Sequence, residues 1–400
     1  MKINESSLWL DHRVASILGF ITRSPFKLFP FAKATGHHSR HSSPPNRRGI
    51  LARGDKSFFI IFSLLILTMF GLSCSLGVKR VPVEGGVYRS DDYAKTWQQK
   101  VFVAQDKKQV TTIAGVDIKN LQFSPVNGDL LVAVGGDKGL LITTDAGEHW
   151  QQVYKAPVSA VALHTTAAGT IFVASGNRIF RSLDTGQNWQ NIYLDSAADS
   201  QINDLAVSRF DDKQLYAGTS RGILLQSSDA GTSWQQVYIF KGGISKILIS
   251  PSDNKLLYVA QADGHLWRSL DKGTTWLDLY DLIKNQIGAR FGRYRTAAFV
   301  GSSNNLLLAT QYGLFLGGDN GQKWQNLKLV TPPNTVSITA LAVSPKLNGS
   351  IYYVTAAGFY HSADNGASWQ TSGLPSSRLP TALVVNPNND KQIYLGFSSK

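Results

Sequence analysis

From about residue 84 onward, apolar and polar positions alternate in short runs, separated by clusters of Gly, Asp, Asn and Ser. That alternation predicts half-buried strands joined by tight turns. In one stretch Ile244 to Ser250 reads as a strand, Leu256 to Ala260 as a second, His265 to Ser269 as a third and Trp276 to Tyr280 as a fourth, with Ser252-Asp253-Asn254 as a turn. Nothing between Lys79 and Lys400 sustains a helical period, so the fold class is all-β. One segment breaks the pattern: residues 57–76, SFFIIFSLLILTMFGLSCSL, are uncharged and almost wholly apolar. At ~1.5 Å rise per residue such a helix covers ~30 Å, the thickness of a bilayer core. It predicts one transmembrane or signal helix ahead of the strands.

Residues 1–56 form a basic, polar leader, and Gly36 to Pro45 has too few apolar residues to build a core. Either the leader is translated or the true start lies downstream of Met1. Arg47, Arg48, Arg53 and Lys56 precede the apolar segment. Positive charge stays on the cytoplasmic side, which puts the rest of the chain outside the cytoplasm.

The strand-rich region is a repeat. Seven segments align: Ser90–Trp97, Thr143–Trp150, Ser182–Trp189, Ser227–Trp234, Ser269–Trp276, Gly317–Trp324 and Ser362–Trp369. Their tryptophans stand 53, 39, 45, 42, 48 and 45 residues apart. Such spacing suits one four-stranded propeller blade per repeat. The paired positions are Asp92 and Trp97, Asp145 and Trp150, Asp184 and Trp189, Asp229 and Trp234, Asp271 and Trp276, Asp319 and Trp324, and Asp364 and Trp369. An Asp side chain accepts backbone N–H groups two or so residues on and closes a turn; Gly supplies positive φ; Trp buries apolar area between blades. In the first copy Ala94 replaces the glycine, which predicts a strained or altered turn.

The ends of the chain complete the count. Gly86 to Ser90 and Thr96 to Lys100 are third and fourth strands with no first or second before them. Thr381 to Asn386 and Gln392 to Phe397 are first and second strands with nothing after them. Pairing them closes a seven-bladed β-propeller over residues 84–398 and leaves no open sheet edge between blades.

The motif S-x-D-x-G-x-T-W resembles the Asp box, or BNR repeat. The chain resembles the photosystem II stability/assembly factor-like group and, more distantly, sortilin-type propellers. The resemblance implies a secreted or lipid-anchored propeller that binds a protein during assembly of a membrane complex. Gly71-Leu72-Ser73-Cys74-Ser75 resembles a bacterial lipoprotein cleavage site, with Ser73 before the cysteine and Gly71 where the pattern prefers Leu, Val or Ile. Cys74 is thus the lipidation candidate, and an uncleaved anchor is the other mode. Both place the propeller on the outer side of a bacterial cytoplasmic membrane.

Charge and cysteine narrow the chemistry. The net charge is +13. Residues 1–56 hold 10 Lys/Arg and 3 Asp/Glu, or +7, which leaves 30 and 24, or +6, for the rest. That is too diffuse for a nucleic-acid stripe. Cys74 is the only cysteine, so no intramolecular disulfide forms.

The loops between second and third strands are short and small, and predict a shallow face. The linker from Asp281 to Arg295 differs: Arg290, Phe291, Arg293, Tyr294 and Arg295 mix the residue types of binding hot spots, with Lys241 and Arg221 as neighbours on the same face. Arginine also suits carboxylates. These five residues are the candidate partner-binding site.

An enzyme reading finds less. Sialidases carry Arg-Ile-Pro, and the nearest match is Arg178-Ile179-Phe180. Glycosidases pair two carboxylates; Asp137, Asp199, Asp204 and Asp263 are the open-face acids, and sequence does not pair them. The expectation is a non-catalytic scaffold with a protein partner and no cofactor, metal or nucleic acid. A glycosidase or glycan-binding module is the alternative.

Overall fold

The computed structural model describes residues 83–399 apart from 107–108, 289–293, 333–334, 336 and 348. The leader, the 57–76 segment and Cys74 lie outside the described residues. Among those described, no helix is long and apolar enough to cross a membrane.

Each repeat folds into a four-stranded antiparallel sheet, giving seven blades. Inner strands are Asn120–Phe123, Ala160–Leu163, Ile202–Val207, Ile244–Ile249, Tyr294–Phe299 and Ile338–Val343 for blades two to seven, and Leu379–Val385 for blade one. Blade one joins the two ends of the chain in the order Gln98–Gln99, Gly86–Ser90, Ile393–Ser398, Leu379–Val385. Gly86 pairs with Phe397 and Ser90 with Ile393, so the predicted closure is present. Two clamps reinforce it. Ser377 donates its N–H to Glu84 at 2.9 Å, and Ser399 donates its N–H to Asp117 at 2.6 Å. These bonds hold both carboxyls below their ordinary range.

The second strands are wholly buried in most blades, and the core is a ring of clusters between neighbouring sheets. One joins blades four and five through Tyr216, Leu224, Ile247 and Leu257. Polar bolts span these junctions. Arg89 donates to the Ala146 carbonyl at 2.8 Å, Arg181 to Ala230 at 2.9 Å and Arg268 to Asn320 at 2.9 Å. Each acceptor lies in the box turn of the next blade. The Tyr394 hydroxyl reaches Ala146 at 2.9 Å and that of Tyr216 reaches Lys272 at 3.0 Å in the same way.

The boxes close their turns, with one change from expectation: Asp accepts from the N–H four residues on. Asp229 takes the Ser233 N–H at 2.8 Å and the Ser233 hydroxyl at 2.6 Å, while Ser227 Oγ receives the Gly231 N–H at 2.8 Å. These donors, the Ser233 hydroxyl foremost, push the Asp229 carboxyl down to about 2. The first box keeps the same hydrogen bonds, Thr96 N–H to Asp92 at 2.8 Å and Ala94 N–H to Ser90 Oγ at 2.8 Å, and its departure is the strained one: Ala94 holds the glycine's left-handed place at φ 65°. Box six departs. Gly317 replaces the serine, and Asp319 lies 3.5 Å from Lys323 in an exposed pair instead of capping its turn. Trp150, Trp189 and Trp369 do reach the preceding blade, donating to Lys100, Val153 and Lys328 carbonyls.

Two insertions were not foreseen. The wide spacing before Trp150 holds a hairpin, Phe102–Gln105 with Val110–Thr112. The Phe102 carbonyl accepts the Trp150 N–H at 2.8 Å, and Trp150 is buried beneath it. The linker read as loop begins with a helix, Tyr280–Ile287, which cuts the fourth strand of blade five to Leu277–Asp278. Tertiary contacts hold it: Gln286 donates to the Gln322 carbonyl at 2.8 Å and accepts the Trp324 N–H at 2.7 Å.

Candidate functional site on the open face

Inter-blade linkers and the loops between second and third strands share the face opposite the boxes. Inner strands start there, and in blades four to seven and blade one each carries a register shift near its first residue. A bulge re-aims the extra side chain. The extra residues are Asn203, Ser245, Arg295, Thr339 and Thr381. In two blades this residue staples the ring: Asn203 donates to the Ile244 carbonyl at 2.9 Å, and Thr381 donates to that of Ile118. In blade six the position is Arg295, exposed, with no ion pair to any described residue.

Of the five predicted partner-binding residues, Arg290, Phe291 and Arg293 lie outside the described residues. Tyr294 and Arg295 open the inner strand of blade six and point apart. Tyr294 is partly buried. Burial, and the Asp204 carboxylate nearby, push its hydroxyl well above the ordinary tyrosine range. Only Arg295 is shown at the surface of the predicted patch. Lys241 is exposed, and Arg221 lies 3.6 Å from Asp199.

The candidate acids are spread out. Asp204 is buried, not on the open face. Its carboxylate accepts Lys246 Nζ at 2.9 Å and the Ile247 N–H at 2.7 Å. Desolvation nonetheless raises its pKa. Asp199 pairs with Arg221, Asp263 accepts the His265 N–H at 3.2 Å, and Asp137 is exposed in the Gly136–Lys138 turn. None of the four hydrogen-bonds another among the described residues.

Sequence reading missed a dyad on the rim of blade five. His265 Nδ1 and Asp278 lie 2.6 Å apart, and the His265 ring centre is 5.1 Å from that of Tyr280. The unforeseen helix places Tyr280 there, so no local signal announced the group.

No family model matches the chain. Sortilin from Rattus norvegicus and from Mus musculus is each 26% identical over 116 residues, covering 27% of this chain and 13% of the relative. Among solved structures, the GH74 xyloglucanase of Xanthomonas campestris superposes with TM-score 0.60 at 17% identity, over 76% of this chain and 52% of its own. YCF48 from Cyanidioschyzon merolae gives 0.55 at 14% identity, over 71% and 96%. YCF48 bound to D1 peptide gives 0.55 at 16%, over 71% and 93%. The shared feature is the fold. This chain spans about half the length of the xyloglucanase and nearly the whole of YCF48.

Proposed function

We propose that the chain is a non-catalytic scaffold that binds a protein through its open face. It is tethered by residues 57–76 on the outer side of a bacterial cytoplasmic membrane, through Cys74 or through an uncleaved helix. The observation that carries the reading is Arg295. The position at which Asn203 and Thr381 staple the ring here presents to solvent a guanidinium with no ion pair among the described residues. Arg290, Phe291 and Arg293 precede it in sequence. A planar guanidinium recognises a carboxylate through two parallel hydrogen bonds. YCF48 bound to D1 peptide supports a peptide ligand for a propeller of this build.

The test is co-purification from membranes with the full chain as bait, then repetition with Arg295→Ala. Truncating a hot-spot residue costs ~2 kcal/mol or more, a loss of about thirtyfold in affinity. A partner retained by the parent should be lost from the variant at an unchanged melting temperature. Equal retention by both ends the reading. The GH74 likeness favours a second reading, carbohydrate hydrolysis. Release of reducing ends from xyloglucan, abolished by Asp278→Asn, would establish it over the first.

A further inference from the structure

Blades one, three and five carry an arginine immediately before the box serine, and each guanidinium donates to a carbonyl in the box of the next blade. Blade three shows the fuller arrangement. Arg181 donates to the Ala230 carbonyl at 2.9 Å and to Gln190 Oε1 at 3.1 Å. Gln190 stands directly across the ladder from Arg181, so the two side chains share one face of the sheet. Blade six keeps the glutamine and lacks the arginine: Gln325 stands across from Leu316. The carbonyl that corresponds to that of Ala230 belongs to Asn365, three residues beyond Ser362 as Ala230 is three beyond Ser227, and Leu316 has no donor for it.

A recess of about 340 Å³ lies on this flank of blade six, lined by Asn305, Leu316, Gly318, Lys323, Trp324 and Gln325. An apolar residue before the box does not by itself open one. Ile142 of blade two is 3% exposed and packs with Val161 and Val173 of blade three, whereas Leu316 is only partly buried. The side-chain amides of Asn305 and Gln325 make no hydrogen bond among the described residues. Asn305 Oδ1 lies beside Gly318, 3.6 Å from where a Cβ would stand. Lys323, the one cation among the six lining residues, pairs with Asp319 at 3.5 Å.

We propose that this recess takes an arginine side chain of a partner polypeptide, in the place that Arg181 fills from within blade three. The guanidinium donates to the amide oxygens of Gln325 and Asn305 and to the Asn365 carbonyl, and its methylenes lie on Leu316. Its five N–H donors in a fixed fork suit neutral oxygens set apart, where the compact ammonium of lysine does not. A free amino acid fits less well, because Lys323 is engaged by Asp319 and no other lining residue is a cation for an α-carboxylate. The site goes beyond the open-face reading: Arg295 suits an acidic group, and this recess a basic one.

The test is photo-crosslinking of the full chain in nanodiscs with acetyl-Gly-Arg-photoleucine amide, followed by peptide mapping. Label is expected in the segment from Asn305 to Gln325. Acetyl-arginine amide should compete, and its neutral citrulline and charged lysine analogues should each compete about tenfold more weakly. Leu316→Arg should form the missing intramolecular bond, abolish labelling and raise the melting temperature. Gln325→Leu should weaken the arginine peptide by about tenfold and leave the melting temperature unchanged, because Gln325 is exposed. The proposal fails if the label maps elsewhere, if the citrulline or lysine analogue competes as well as arginine, or if Gln325→Leu binds as the parent does. It also fails if a folded Leu316→Arg is still labelled. Tighter competition by free arginine than by acetyl-arginine amide would overturn a polypeptide ligand.

Discussion

Lys246→Met removes the one charged partner that a buried acid has among the described residues. Asp204 is 5% exposed on the inner strand of blade four, and its carboxylate bonds Lys246 at 2.9 Å and the Ile247 N–H at 2.7 Å. At an effective dielectric of ~20 the Coulomb attraction at this separation is ~6 kcal/mol, an upper bound before desolvation. Breaking a buried pair from one side costs ~3–5 kcal/mol. The Lys246 side chain is 34% exposed and the Ile247 N–H stays in place, so we expect the low end, ~3 kcal/mol. Asp204→Asn with Lys246→Met removes both charges and should cost less than Lys246→Met alone, because no ion is left stranded. The pH dependence follows. Burial holds the Asp204 pKa above its unfolded value, so the folded state binds the extra proton and stability falls as pH rises through that window. Without Lys246 the window widens upward, and the deficit of the single variant should be larger at pH 8 than at pH 4.5. Tryptophan-monitored thermal unfolding of the full chain reads all three proteins. A single variant no less stable than the double variant, or a deficit independent of pH, would refute the argument.

The remaining predictions concern the boxes and the closure. Ala94→Gly should stabilise the protein by ~0.5–1 kcal/mol, because a left-handed residue with a Cβ costs ~1–2 kcal/mol and glycine's extra entropy returns part of that; a lowered melting temperature would contradict it. Asp92, Asp184, Asp229 and Asp364 are each pulled down to about 2 by hydroxyl and N–H donors. Their stabilisation is present above the unfolded value of ~3.9 and is lost as pH falls towards about 2, so acid unfolding should be shallower in Asp229→Asn. Deleting 379–400 removes the two inner strands of blade one and should abolish cooperative unfolding; a transition near that of the parent would mean the ring does not depend on its closure.

What was legible in the sequence is what is local or countable. A box is closed by residues within one turn, so Asp229, Gly231 and Trp234 announce it wherever it folds. Closure was legible because unmatched strands at the two ends of the chain have no other partners. The helix Tyr280–Ile287 was not, because its supports are Gln322 and Trp324 in the next blade and its N-terminus has no side-chain cap. Tyr294 and Arg295 were read together as one exposed patch; the bulge turns one inward and the other outward, a distinction carried by register and not by composition. Asp204 was placed on the open face for the same reason. The bolts were visible in part: Arg89, Arg181 and Arg268 each immediately precede the serine of a box.

Seven blades face the same packing demand, so a blade that drops the shared solutions is answering another one. Blade six drops several. Gly317 stands where other boxes carry Ser or Thr, and Asp319 pairs with Lys323 at the surface. Leu307 and Leu316 face each other where blade one pairs Tyr394 with Arg89 and blade five pairs Tyr258 with Arg268. The bulge of blade six holds an exposed Arg295 where blades four and one hold Asn203 and Thr381, and a helix precedes it in place of a short linker. Loss of ring-holding polar groups and gain of a cation without an ion pair among the described residues fall in the same blade. For the proposed scaffold this favours an interface centred on blade six over one shared evenly around the ring, and Arg295→Ala set against substitution of the exposed Arg178, on the open face of blade three, separates the two arrangements.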